Sequence, residues 1–259
     1  MASASPEKED PDPQSRGSGK SAILMYHSLD TSGSVISIAP EMFRRHMEYL
    51  AQSGRPVVPL AEVTKTPQAV ALTFDDGFLN FLVHALPPLM KYRFPATVFA
   101  ISGCCGKRND WNSYGKYVPS LQIMGWSEMR EVAGSGISLG AHTVTHRKLT
   151  ELAEEVIQRE MRDCRMEIED RTGSPVKAFS YPYGVSNAGI REMAAREFLL
   201  ACGTRLQYVD GAEDILNLPR FDACYLRNLW PLRNLLTRRG SVWFGARRLA
   251  RAARTSLPG

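Results

Sequence analysis

Two short runs carry residues that could do hydrolytic chemistry. Thr73-Phe74-Asp75-Asp76-Gly77 closes an apolar stretch with adjacent carboxylates, and His142-Thr143-Val144-Thr145-His146 sets two imidazoles at i and i+4. On a helical turn, imidazoles so spaced project from one side and can meet one metal ion. Zinc takes imidazole nitrogen and carboxylate oxygen at roughly 2.0–2.2 Å, and a catalytic zinc keeps one position for water. One aspartate with two histidines meets that demand, and neighbouring carboxylates can divide the labour, one on the metal and one accepting a proton. Each run also has a plainer reading. H-x-x-x-H alone more often caps a turn, and paired aspartates after a strand often only form one. Their occurrence in one strand–helix series is what favours metal-assisted hydrolysis.

The elements that must position these residues alternate between strand and helix. Apolar runs predict strands at 22–26, 57–58, 69–74, 96–101, 137–141, 176–181, 199–203 and 216–221. Helical spacing predicts helices at 43–52, at 81–92 with a kink or break at Pro87-Pro88, at 126–133, at 151–171 and at 189–197. The 151–171 helix has an acidic first turn and a stop at Gly173, both suited to its ends. Residues 102–121 show little periodicity and read as a long functional loop. Strands separated by helices imply parallel pairing in a barrel or open sheet. In a parallel barrel the strand ends meet at one face, where active sites are built. His27, Asp75-Asp76, His142 and Tyr183 each follow a different predicted strand, so the barrel would gather them.

The chain resembles the polysaccharide deacetylases with a NodB-like domain, carbohydrate esterase family four. The resemblance rests on ILMYHS, ALTFDDGF, ATVFAISG, MGWSEMREVAGSGISLGAHTVTH, FSYPYG, ACGT and LPRFD, in that order across 21–225. It implies an α/β fold, a distorted (β/α) barrel of the NodB type with fewer than eight strands. It makes Asp75 the catalytic base and Asp76, His142 and His146 the ligands of one divalent metal ion, commonly zinc. It implies hydrolysis of acetyl groups on N-acetylated sugars, with the Tyr183 backbone N–H helping to hold the oxyanion. Trp111, Tyr181 and Pro182 are the candidate substrate-binding positions. The alternatives are an O-acetyl carbohydrate esterase and a non-catalytic carbohydrate-binding relative; the intact carboxylate and histidine motifs weigh against the last.

Two departures matter. Many relatives carry an arginine two residues before the Pro-Tyr pair, where this chain has Ser180; Arg220 in LPRF could supply the guanidinium instead. Many also carry a late histidine as general acid, whereas no histidine follows His146. His27 is the spare imidazole near that face, for binding or proton transfer, and the missing acid modestly favours an ester substrate. His46 and His84 fall in helical patterns and are expected at the surface.

Charge is unevenly spread over the 259 residues. The net charge is +5, yet 225–259 holds eight arginines and no Asp or Glu, which leaves −3 for the rest. The expected organisation is a disordered arm at 1–20, the deacetylase domain at 21–225 and an arginine-rich amphipathic tail at 226–259. Such a tail could lie on an anionic membrane; a nucleic-acid partner is disfavoured against an acetylated carbohydrate. Five cysteines without C-x-x-C spacing read as free thiols. With no apolar run for a signal peptide or span, the expectation is a cytoplasmic protein, peripheral at the inner membrane face.

Overall fold

The computed structural model describes residues 19–111 and 118–255. The 1–20 arm therefore falls outside the described residues except for Gly19 and Lys20, as do positions 112–117 of the long loop. The chain opens with β1 (Ala22–Tyr26), two short strands β2 (Ser28–Leu29) and β3 (Ser37–Ile38), then α1 (Pro40–Gln52) and β4 (Val70–Phe74). There follow α2 (Asn80–His84), α3 (Leu86–Tyr92), β5 (Thr97–Ala100), α4 (Trp126–Gly134) and β6 (Ser138–Ala141). Next come α5 (Glu154–Thr172), β7 (Ala178–Ser180), α6 (Ala188–Glu197) and β8 (Leu200–Cys202). The chain ends with β9 (Phe221–Asp222), α7 (Leu229–Arg233) and α8 (Arg238–Thr255).

Among the described residues, seven strands form one parallel sheet in the order β8-β7-β6-β5-β4-β1-β9, and β2 pairs with β3 apart from it. Strands β1 and β4 are buried along their whole length, as expected where helices cover one face and the sheet curls over the other. The two sheet edges approach each other at Leu218. Its N–H donates to the Ala201 carbonyl at 2.8 Å, and its carbonyl accepts from Gly203 N–H at 2.9 Å. The architecture is the distorted barrel with fewer than eight strands that the motifs implied.

Side chains alternate across this curled sheet. Ile23, Ala71, Phe99 and Cys202 form a small inner cluster, while Leu24, Leu72, Val98 and Leu139 join the larger core under the helices. The barrel interior is tight at Gly140, where a Cβ would come within 2.4 Å of the Phe99 ring. Counting on by twos from Ala71 through Thr73 puts Asp75 on the inner side at the mouth, and from Gly140 it does the same for His142.

Several predicted elements differ. Only an isolated bridge, Val57 to Val70, stands where a strand at 57–58 was expected; Pro56 and Pro59 flank it. The 81–92 helix divides at Ala85, and the prolines lie in the first turn of α3, where a missing N–H costs nothing. The 151–171 helix starts at Glu154, preceded by a separate 3-10 turn at Leu149–Glu151. The expected last strand splits into a 3-10 turn, Ile215–Asn217, and the two-residue β9.

His46 is not a surface residue. It is fully buried, with Nδ1 3.0 Å from the Tyr26 hydroxyl and Nε2 2.9 Å from the Leu226 carbonyl. Over its described length, part of the 226–259 segment packs on the barrel. Leu232, Leu235, Leu236 and Phe244 are buried, Phe244 meets Phe221 ring to ring at 4.7 Å, and Tyr49 Oη donates to the Arg233 carbonyl. These four apolar residues of the segment are thus in the core, while Trp230, Val242 and Leu249 remain exposed. No helix among the described residues is long and apolar enough to cross a membrane.

Candidate active site

Asp75 extends β4, its N–H donating to the Tyr26 carbonyl at 2.9 Å. Adjacent residues of a strand point to opposite faces, so the next carboxylate would be turned away if the strand continued. Asp76 instead takes φ 72°, and Gly77 follows at φ 71°. This left-handed step brings both carboxylates to one mouth: His142 Nε2 lies 3.4 Å from Asp76 Oδ1 and 4.0 Å from Asp75 Oδ2. Four of the six non-glycine residues with positive φ among the described residues cluster here, namely Asp76, Thr143, His146 and Tyr183. Each such residue costs on the order of 1–3 kcal/mol and persists only where surrounding structure holds it.

The H-x-x-x-H run is not helical, contrary to the expectation from its spacing. His142 continues β6, its N–H donating to the Ala100 carbonyl at 2.9 Å, and the chain then turns through Thr143 at φ 68° and His146 at φ 56°. The turn nevertheless brings the two rings together, with centroids 4.8 Å apart. His146 Nε2 lies 3.5 Å from Asp76 Oδ1. One donor atom from each of Asp76, His142 and His146 falls within 4.8 Å of the others, and all three residues are buried.

The chemistry of this donor set suits a cation. His142 Nδ1 lies 2.7 Å from the Ser180 carbonyl. A carbonyl can only accept, so Nδ1 carries the hydrogen, which in the neutral ring leaves the Nε2 lone pair for a cation beside Asp76. Burial outweighs the nearby carboxylates at His146 and pushes its pKa down to about 3, which keeps the ring neutral, as a ligand must be. Asp76 lies wholly buried between these two rings. Neither oxygen of this fully buried carboxylate takes a hydrogen bond among the described residues. A buried charge left so is costly unless an ion completes it.

Asp75 is satisfied differently. The Arg220 guanidinium grips it in a bidentate pair, Nη1 to Oδ1 at 2.6 Å and Nη2 to Oδ2 at 2.7 Å. Ser180 Oγ donates to Oδ2 at 3.1 Å and accepts from Arg220 Nη2 at 2.8 Å. Arg220 is itself held by the Gly203 carbonyl at Nε, by Thr73 Oγ1 at Nη1 and by the Phe99 ring beneath it. Burial alone would raise the Asp75 pKa; the Arg220 charge, with His142 and His27, outweighs it and holds the carboxyl well below the usual range. The guanidinium absent at position 180 thus arrives from the segment before β9.

The remaining candidates divide. Trp111 and Tyr183 each approach the His146 ring at 4.8 Å from centroid to centroid, and Tyr183 Oη donates to the His146 carbonyl at 3.2 Å. Both line a cleft of about 580 Å³ with Asp110, Thr145, His146 and Lys148. His27 is half-buried at the end of β1, near enough for its charge to act on both aspartates. Tyr181 is not brought to the cleft: its ring is buried edge-on against Phe179 and its hydroxyl donates to the Leu216 carbonyl at 2.8 Å. Pro182 is buried too, where it begins the 3-10 turn Pro182–Gly184 that presents Tyr183. Sequence reading missed Thr73 and Glu160. The latter could have been found, since it sits on the apolar stripe Ile157, Met161, Cys164 and Ile168 of α5.

Known proteins are similar to this chain. YxkH of Bacillus subtilis (strain 168), whose designation as a polysaccharide deacetylase is provisional, is 31% identical over 176 residues, covering 65% of this chain and 58% of its own. The poly-beta-1,6-N-acetyl-D-glucosamine N-deacetylase of Staphylococcus aureus (strain MSSA476) is 25% identical over 168 residues, covering 58% and 55%. The chain therefore spans less than two thirds of the length of these curated relatives. The solved structure of the Streptococcus pyogenes deacetylase PplD in complex with acetate superposes with a TM-score of 0.71 at 26% identity, covering 84% of this chain and 97% of that one. The family model for polysaccharide deacetylase matches residues 62–197, which run from before β4 to the end of α6 and so contain both aspartates and both histidines. On that match the chain belongs to the polysaccharide deacetylase family.

Proposed function

We propose that the protein hydrolyses acetyl groups from N-acetylated sugars of a polysaccharide or glycan precursor, using one divalent cation, zinc first among the choices. The observation that carries this reading is the pairing of two unlike carboxylates. Asp75 is locked in a bidentate ion pair, whereas Asp76 takes no hydrogen bond among the described residues and lies 3.4 and 3.5 Å from two imidazoles. Asp76, His142 and His146 would hold the ion. A cation there would lower the pKa of water from ~15.7 toward ~7 and polarise a carbonyl, which is the chemistry a carboxylate as weakly basic as Asp75 requires.

The chain's own groups do the rest. Asp75 accepts the proton of the attacking water, with Arg220 and Ser180 fixing where its oxygens point. The Tyr183 backbone N–H, at the cleft wall, donates to the developing oxyanion. His27 supplies a proton to the departing amine. Trp111 offers a ring face on which a sugar can stack. Support for the amide substrate comes from the staphylococcal relative, named for N-deacetylation, while the streptococcal structure, which holds acetate, supports acetyl removal from either an amide or an ester.

Acetate release from N-acetylglucosamine oligomers, before and after chelation and with zinc restored, tests this reading. Release should require the metal and fall by about 10²–10⁴-fold in Asp75→Asn. Release only from O-acetyl or aryl esters would transfer the assignment to an esterase, and oligomer binding with no release would leave a carbohydrate-binding relative.

A further inference from the structure

The turn that carries His146 has no strand or helix to hold it. Its peptides from Thr143 to Thr145 lie between β6 and a 3-10 turn, with Thr143 and His146 both in the left-handed region. On one side, Ser102 N–H donates to the Thr143 carbonyl and Gly103 N–H to the Val144 carbonyl, at 3.3 and 3.0 Å. On the other side stands a single carboxylate from α5. Glu160 Oε2 accepts from the backbone N–H of both Val144 and Thr145 at 2.9 Å, and Oε1 accepts from Thr145 Oγ at 2.6 Å. Thr143 Oγ1 then accepts the His146 N–H at 2.9 Å, which completes the turn.

Glu160 is buried, on the face of α5 otherwise made by Ile157, Met161, Cys164 and Ile168. An apolar residue there would pack against its neighbours without desolvating a charge. It would leave two turned-in N–H groups and a hydroxyl without acceptors, and the turn could then relax to ordinary backbone angles. That relaxation would carry the His146 ring away from Asp76 and His142.

We propose that Glu160 is a positioning residue for the metal centre: by gathering the Val144, Thr145 and hydroxyl donors it holds His146 in the conformation that completes the Asp76, His142, His146 donor set. The inference rests on the proposed metal site and not on the acetyl chemistry. Because the need is for acceptors at two fixed points, an amide can serve. In Glu160→Gln the carbonyl oxygen takes the two backbone N–H groups and the amide N–H turns to the Thr145 hydroxyl.

The test is zinc affinity of the full chain, measured by competition with a chromogenic chelator, with far-UV circular dichroism to confirm folding. Glu160→Leu should bind zinc about 10–100-fold more weakly, the range for loss of an outer-shell partner, while Glu160→Gln should restore near-wild-type affinity. If Glu160→Leu fails to fold, Glu160→Asp keeps the charge and withdraws its reach by one methylene, and should show the same weakening. Equal zinc affinity in wild type and the folded Leu or Asp variant overturns the inference. A wild type that binds zinc tightly yet releases no acetate would sink the deacetylase reading and leave this inference standing.

Discussion

The Asp75–Arg220 pair is buried on both sides, and removing one partner strands the other's charge. Arg220→Met should therefore destabilise the fold by about 3–5 kcal/mol in urea denaturation. The double variant Asp75→Asn with Arg220→Met should lose much less than the two singles added together. The sign of the pH effect follows from the depressed carboxyl. An unfolded aspartate titrates near ~3.9, so the stabilisation is complete above about pH 4 and is lost as pH falls toward the folded value. Asp75→Asn should flatten that acid limb of stability against pH; an unchanged limb would mean that Asp75 does not sense Arg220. At this scale the motifs were legible in residue types alone, since TFDDG and HTVTH contain the candidate base and all three candidate ligands. The use of Arg220 was readable only as an option, because the ion pair spans 145 positions of sequence.

Strand alternation, more than any single contact, aims the site. The inner line through Ala71, Thr73 and Asp75 and the line through Gly140 and His142 flank β5, and Gly140 sits against the Phe99 ring. Gly140→Ala should overpack this layer and cost about 1–3 kcal/mol, read as a fall in Tm with weaker zinc binding because His142 rides on the same strand. An unchanged Tm would show the interior to be looser than its geometry. Strands and helices were readable where periodicity was long, as in β1, β4 and α5. Irregular backbone was not: i, i+4 spacing says helix, whereas the histidines in fact meet across a left-handed turn held by Glu160. Propensity has no term for a turn enforced by a distant carboxylate.

Whole-molecule packing decides the status of the C-terminal helices. Phe244 of α8 lies buried against Phe221 and Trp243, and Leu235 accepts the Tyr208 hydroxyl through its carbonyl. Phe244→Ala should thus cost about 3–5 kcal/mol, as core aromatic truncations do, whereas a separable tail would leave the urea midpoint unmoved. The eight arginines of 225–259 conceal this in the sequence, since composition averages exposed and buried faces of the same helix. Trp230, Val242 and Leu249 stay outside, among exposed arginines.

The sequence by itself determined the alternation of strand and helix, the parallel sheet, and which side chains could bind a cation or take a proton. Those follow from local periodicity and from side-chain chemistry, which neighbours in the chain already specify. Tertiary structure alone decided that Arg220 reaches Asp75, that Ser180 sets the His142 tautomer, that Tyr181 faces the core and that His46 is buried. Each of these depends on which distant backbone comes alongside once the sheet curls, and a linear pattern does not contain that distance.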